Sequence, residues 1–228
     1  MFTRLFTSAA LAGLATGVMS AGLTLFLVVP LILEGELFES GLITHFVTTA
    51  NGAIQTTVDP VSLSGNLARH AQTFAISLVT YIGFALLLVT GFALAERSGA
   101  RIDTRTGLLW GTCGFLAVHL APAVGLPPEL PGTIGADLAS RQIWWLGTVA
   151  ASIAGLALIG YARNPAMILG GVALLAAPHL IGAPGIDTYF GVAPPELAAH
   201  FVTSALGVAA VSWAILGASA GWLWSRGD

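Results

Sequence analysis

Glu196 and His200 stand four residues apart in an apolar run, a spacing that on a helix puts a carboxylate and an imidazole on one face, about 5 to 6 Å apart. Such a pair can serve one divalent transition-metal ion. His119 and His179 lie towards the ends of two further apolar runs, where an ionisable side chain is costly unless it faces a cavity or a partner. Glu34, Glu36 and Glu39 close the first apolar run and concentrate carboxylates that raise the local density of divalent cations.

A short pattern recurs where helices are expected to begin: Asn66-Leu67-Ala68-Arg69-His70, Asp137-Leu138-Ala139-Ser140-Arg141 and Glu196-Leu197-Ala198-Ala199-His200. Each is an oxygen side chain, Leu-Ala, and then His or Arg four residues after the oxygen. The loops before the last two also match, Pro127-Pro128-Glu129-Leu130 against Pro194-Pro195-Glu196-Leu197. The chain therefore reads as three hairpins, the first much diverged. A plainer reading of the same residues is open: Asn66 and Asp137 as N-caps, Asp137 paired with Arg141, and the histidines as interfacial residues among headgroups.

The elements that must position these groups are membrane spans. Of 228 residues 56% are hydrophobic and 8% charged, and the mean hydropathy is +0.87; such a chain cannot dress a soluble surface. Runs long enough to cross roughly 30 Å of hydrocarbon are expected at Leu5 to Leu33, Ala71 to Ala95, Gly107 to Leu126, Gln142 to Tyr161, Pro165 to Ile181 and Leu197 to Trp224. The first is too long for a signal peptide and is expected to stay uncleaved. The fold class is thus an all-α integral membrane protein, one domain of six helices in three hairpins.

Orientation follows from arginine. Six of the eight, Arg4, Arg97, Arg101, Arg105, Arg163 and Arg226, fall on the side of the N-terminus, which makes both termini cytoplasmic. The other side carries Arg69 and Arg141 with eight of the eleven acids, including Asp59 and Asp187. All five histidines then lie towards the outer side, and His119, His179 and His200 are expected within reach of one another, with Glu196 one turn above His200.

Composition excludes several activities. There is no lysine, so neither a P-loop nor a lysine Schiff base is available. Cys113 is the sole cysteine, a small packing residue that can form no internal disulfide. A net charge of -3 gives no reason to expect nucleic acid. No acid, base and nucleophile set stands at a recognised spacing, so the chain is not expected to be an enzyme. Small residues at i+4 spacing, Ala9-Gly13-Gly17-Ala21 and Gly217-Gly221, allow close helix packing within the bundle or against another subunit.

Five blocks carry a resemblance: PLILEGE from Pro30, HLAPAVGLPPELPG from His119, ADLASRQIWW from Ala136, PHLIGAP from Pro178 and PELAAHF from Pro195. In order and spacing they resemble the CbtA family of cobalt transporter subunits, and the likeness runs from the first span to the last. The matched positions are Glu34, Glu36, Glu129, Arg141, His179, Glu196 and His200. Family members often have a histidine-rich first outer loop, whereas residues 40 to 68 here hold only His45. The resemblance implies uptake of a divalent transition metal, cobalt, across a bacterial cytoplasmic membrane with a small histidine-bearing one-span membrane partner, and the small-residue stripe leads to the expectation that a small membrane protein or a second copy of the chain packs against the Ala9-Gly13-Gly17-Ala21 face. Residues and resemblance together yield an expected ligand set of His119, His179, His200, Glu196, Glu129 and Glu36. The rival expectation is a lipid-embedded accessory subunit that moves nothing, with a histidine as the ligand of a tetrapyrrole.

Overall fold

The structure, a computed structural model, describes residues 2–45, 47–48, 52, 54–55, 67–188 and 190–227. Among the described residues, five helices are long and apolar enough to cross a membrane: α1 (Phe2–Leu27), α3 (Leu67–Arg97), the rod Thr104–Gly125, α6 (Leu138–Gly160) and α8 (Pro195–Ser225). A sixth apolar helix, α7 (Pro165–Ile181), has 17 residues and is shorter. The expected first span divides, since α1 stops at Leu27 and α2 (Val29–Glu39) starts anew. Pro30 explains the break, because it has no N–H to continue the ladder and sits in the first turn of α2. Residues 47–48 and 54–55 pair as a minimal antiparallel hairpin, β1–β2.

Side-chain caps start three of the helices, and one of them, Asp137, is a cap expected from the sequence. Asp103 accepts the Thr106 amide at 2.7 Å ahead of α4 (Thr104–Phe115). Asp137 accepts the Ser140 amide at 2.9 Å and its hydroxyl at 3.1 Å ahead of α6. Asn164 accepts the Met167 amide at 3.0 Å, and Pro165 occupies the first turn of α7. Asn66 and Asp59 lie outside the described residues. Between α4 and the short α5 (Ala121–Gly125), residues Leu116–Leu120 form a π-helical turn, so that His119 sits on a local widening of the rod.

The packing pairs are α1 with α3, α4 with α8, and α6 with α7, while α8 also lies along α1. The first is the hairpin expected from the sequence; the other two join helices that the repeat had placed in different hairpins. Glycine supplies the reason. Between lipid-embedded helices the gain is close van der Waals contact, and that needs small residues. A Cβ at Gly111 would fall 2.9 Å from the Gly217 Cα, and one at Gly107 2.8 Å from the Gly221 Cα, so these two backbones touch directly. Gly155 and Gly171 bring α6 and α7 together in the same way. On α1, Gly13 meets the Ile82 backbone and Gly17 the Leu78 backbone, both on α3. The Ala9-Gly13-Gly17-Ala21 stripe is therefore covered inside the monomer, and the partner expected on that face is displaced by α3.

Two cores result. Phe92, Trp213, Leu216 and Trp224 anchor one among α1, α3 and α8, with Trp110 of α4 against it. Val28, Leu31, Phe38, Leu130, Leu197 and Phe201 form the other beneath the 127–137 loop. The end that holds both termini is stapled by Arg4, which donates to the Trp224 carbonyl at 2.9 and 2.7 Å and pairs with Glu96 at 3.4 Å. The Trp224 indole in turn donates to Glu96 at 3.1 Å. At the opposite end Arg69 of α3 pairs with Glu36 of α2 at 2.7 Å, and the loops 127–137 and 182–194 meet through a Thr133–Gly191 bridge.

Candidate functional site

His119, His179 and His200 lie on the helices expected for them and Glu129 in its loop, whereas Glu36 lies within α2 and Glu196 in the first turn of α8, and the six do not gather into one set. Among the described residues, no three His, Cys, Asp or Glu side chains converge on a point that could hold a metal ion. His119 lies against Trp213, thirteen residues beyond His200 on α8. At the helical rise that is a separation of about 20 Å along the axis, too far for one ion. Glu196 and His200 remain one turn apart on α8 and both are exposed. His179, also exposed, presents its ring edge-on to Trp144 at 6.1 Å, and that indole donates to the Pro178 carbonyl at 3.2 Å. Glu36 is held by Arg69.

What the tertiary structure does build is a cavity of about 390 Å³ between the π-turn with α5 on one side and the start of α6 on the other. It contains two of the expected ligands, His119 and Glu129, together with Arg141, Gln142 and Trp145, and Leu206 of α8 closes its flank. The remaining wall is apolar, chiefly Val118, Pro122, Leu126 and Leu138. Each polar group arrives for a local reason. The π-turn carries His119. Glu129 follows Pro127 and Pro128, which cannot extend a helix, and Leu130 is buried so that the loop is pinned. The Asp137 cap starts α6 and sets Arg141 one turn in.

The electrostatics are those of paired groups. Arg141 Nη2 donates to Glu129 Oε2 at 2.6 Å, a charge-assisted bond between half-exposed side chains. The i,i+4 pair of Asp137 and Arg141 allowed by the sequence is not the one used: Asp137 is occupied in capping, and the guanidinium crosses to the loop instead. The Ser140 amide and hydroxyl hold the Asp137 carboxyl below the usual carboxylate range.

His119 has an equally definite neighbour. The Trp213 indole N–H donates to His119 Nδ1 at 3.2 Å, Phe115 stacks on the imidazole at 6.2 Å, and Phe84 meets it edge-on at 6.1 Å. Because indole only donates, Nδ1 must present its lone pair, and the ring proton resides on Nε2. Trp213 was missed at the sequence level. Its signal is a tryptophan in the middle of a span, 4% exposed, away from the span ends where indoles usually anchor. Cys113 lies two turns before His119 and is half-buried as a packing residue.

A family model described as probable cobalt transporter subunit (CbtA) matches residues 2–225. No curated protein and no solved structure matches the chain.

Proposed function

This chain belongs to the CbtA family of probable cobalt transporter subunits, and from that premise we propose that it is the membrane-embedded subunit of a transition-metal uptake system, admitting cobalt as a divalent cation without catalysing a chemical step. The observation that carries the reading is the cavity in which Glu129 and His119 lie on one wall system at the end opposite both termini. A carboxylate and an imidazole suit cobalt, nickel, copper and zinc alike, so donor chemistry favours the class and the family favours cobalt.

In this reading α7 completes a sixth crossing, both termini are cytoplasmic, and the membrane is the bacterial cytoplasmic one. The arginine bias supports that placement. Exposed Glu196 and His200, with Glu36 and His179, form an outer collecting surface ahead of the cavity. Inward movement of a 2+ ion is favoured by about 4.6 kcal/mol per 100 mV, twice the single-charge figure, so the potential alone can drive it. A partner subunit completes the system and binds a surface other than the stripe that α3 covers.

Cobalt accumulation in cells with and without the gene tests the proposal, with Glu129→Gln as the site control. Uptake that needs the chain and falls severalfold in Glu129→Gln is the expected result. Unchanged accumulation in the deletion strain would move the chain to the class of non-transport accessory subunits, the place for a histidine-held tetrapyrrole.

A further inference from the structure

The two candidate donors in the cavity are each blocked by a group of the protein itself. Glu129 is engaged by the Arg141 guanidinium at 2.6 Å. His119 offers its only lone pair to Trp213, leaving Nε2 protonated and unable to ligate, since a metal-bound imidazole needs a free lone pair on the ligating nitrogen. Both candidate donors are thus satisfied within the protein.

From this we propose that Arg141 and Trp213 form an exchangeable lock on the cavity: a divalent cation binds there only by displacing the Arg141 guanidinium from Glu129 and releasing His119 from Trp213. The inference deepens the cobalt reading and rests on it for the identity of the ion. Two features support exchange rather than a fixed structural pair. The Glu129 and Arg141 side chains are 29% and 27% exposed, so water or an ion reaches them. The pair borders a cavity able to receive the displaced guanidinium. Gly135 packs against the pair, so a methyl added there would press on it, its Cβ coming 2.5 Å from Arg141 Nη1 and 3.3 Å from Glu129 Oε2.

The lock has two consequences. A monovalent cation competes poorly with a guanidinium that makes a short charge-assisted bond, whereas a divalent ion brings twice the charge to the carboxylate. Return of Arg141 to Glu129 then expels the ion, which keeps occupancy brief enough for passage.

Co²⁺ binding to the purified full chain in lipid nanodiscs tests this, by equilibrium dialysis of cobalt chloride. Arg141→Gln and Gly135→Ala are expected to tighten binding about tenfold, equivalent to 1.4 kcal/mol. Trp213→Phe, which keeps an aromatic ring but removes the N–H, is expected to tighten it severalfold. Adding Glu129→Gln to any of these abolishes the gain. Gly135→Ala retains both charges, so it carries the test if Arg141→Gln fails to fold. Affinities equal to wild type, or weaker ones in folded variants, overturn the lock. If that occurs while Glu129→Gln still reduces binding, the cobalt reading survives and only the lock is lost. If no variant binds Co²⁺, the lock is overturned, and cobalt accumulation in the deletion strain separately decides the transport reading.

Discussion

At the residue scale, a single side chain sets where the cavity's cation stands. Asp137 starts α6 by accepting the Ser140 amide, and that fixes the turn from which Arg141 reaches Glu129. Its carboxyl is held below the ordinary value of 3.8 by the backbone amide bond first and the Ser140 hydroxyl second. Asp103 is lowered for the same reason, through Thr106. A depressed folded-state value means stabilisation that is complete above the ordinary carboxylate range and is lost as pH falls below 3.8 towards the folded value. Thermal unfolding in detergent should therefore show wild type above Asp137→Ala by a constant margin near neutrality, with the margin shrinking only below that range. Asp137→Asn should keep most of the neutral-pH stability, because Asn also caps, while its advantage over Asp137→Ala persists in acid. A margin that shrinks between pH 7 and 5 would point to a different titrating group.

At the scale of elements, glycine decides which helices meet. The α4–α8 crossing depends on Gly107, Gly111, Gly217 and Gly221, and the α1–α3 contact on Gly13 and Gly17. A Cβ at Gly13 would stand 2.6 Å from the Ile82 Cα, which is backbone and cannot step aside. Gly13→Leu should therefore destabilise the isolated monomer, by about 2 kcal/mol or more on the scale of overpacked interiors. Reversible unfolding of monodisperse protein in mixed micelles measures this. Full monomer stability combined with loss of a complex would show that the stripe serves another chain instead. The stripe itself was visible in the sequence, whereas its occupant was not, because i+4 spacing describes one helix surface and says nothing of the facing one. The Gly107–Gly111 half of the other crossing went unnoticed beside Gly217–Gly221 for the same reason.

At the scale of the whole molecule, the bundle has a stapled end and an open end. Arg4, Glu96 and Trp224 join α1, α3 and α8 where both termini lie. The opposite end carries the Glu36–Arg69 and Glu129–Arg141 pairs and the cavity. If the arginine bias sets the direction of insertion, the stapled end faces the cytoplasm. Single cysteines at exposed Ser98 and Thr188, on a Cys113→Ala background, test this with an impermeant thiol reagent added to intact cells. Labelling at Thr188 and protection at Ser98 are expected, and the reverse pattern would turn the protein over in the membrane.

The sequence alone determined the properties that depend on neighbours along the chain. Apolar runs of sufficient length had to become helices in a hydrocarbon setting, since every backbone polar group must be satisfied within its own segment. Local chemistry likewise placed the cap at Asp137, and the block order from Pro30 to Phe201 was enough to reveal the family. The tertiary structure decided everything that depends on groups distant in the chain. Trp213 finds His119 across 94 positions, and Arg141 turns from Asp137 to Glu129. The short α7 packs on α6 rather than on α8. These outcomes turn on backbone approach distances and on which donor reaches an acceptor first, and neither is encoded in the periodicity of any single helix.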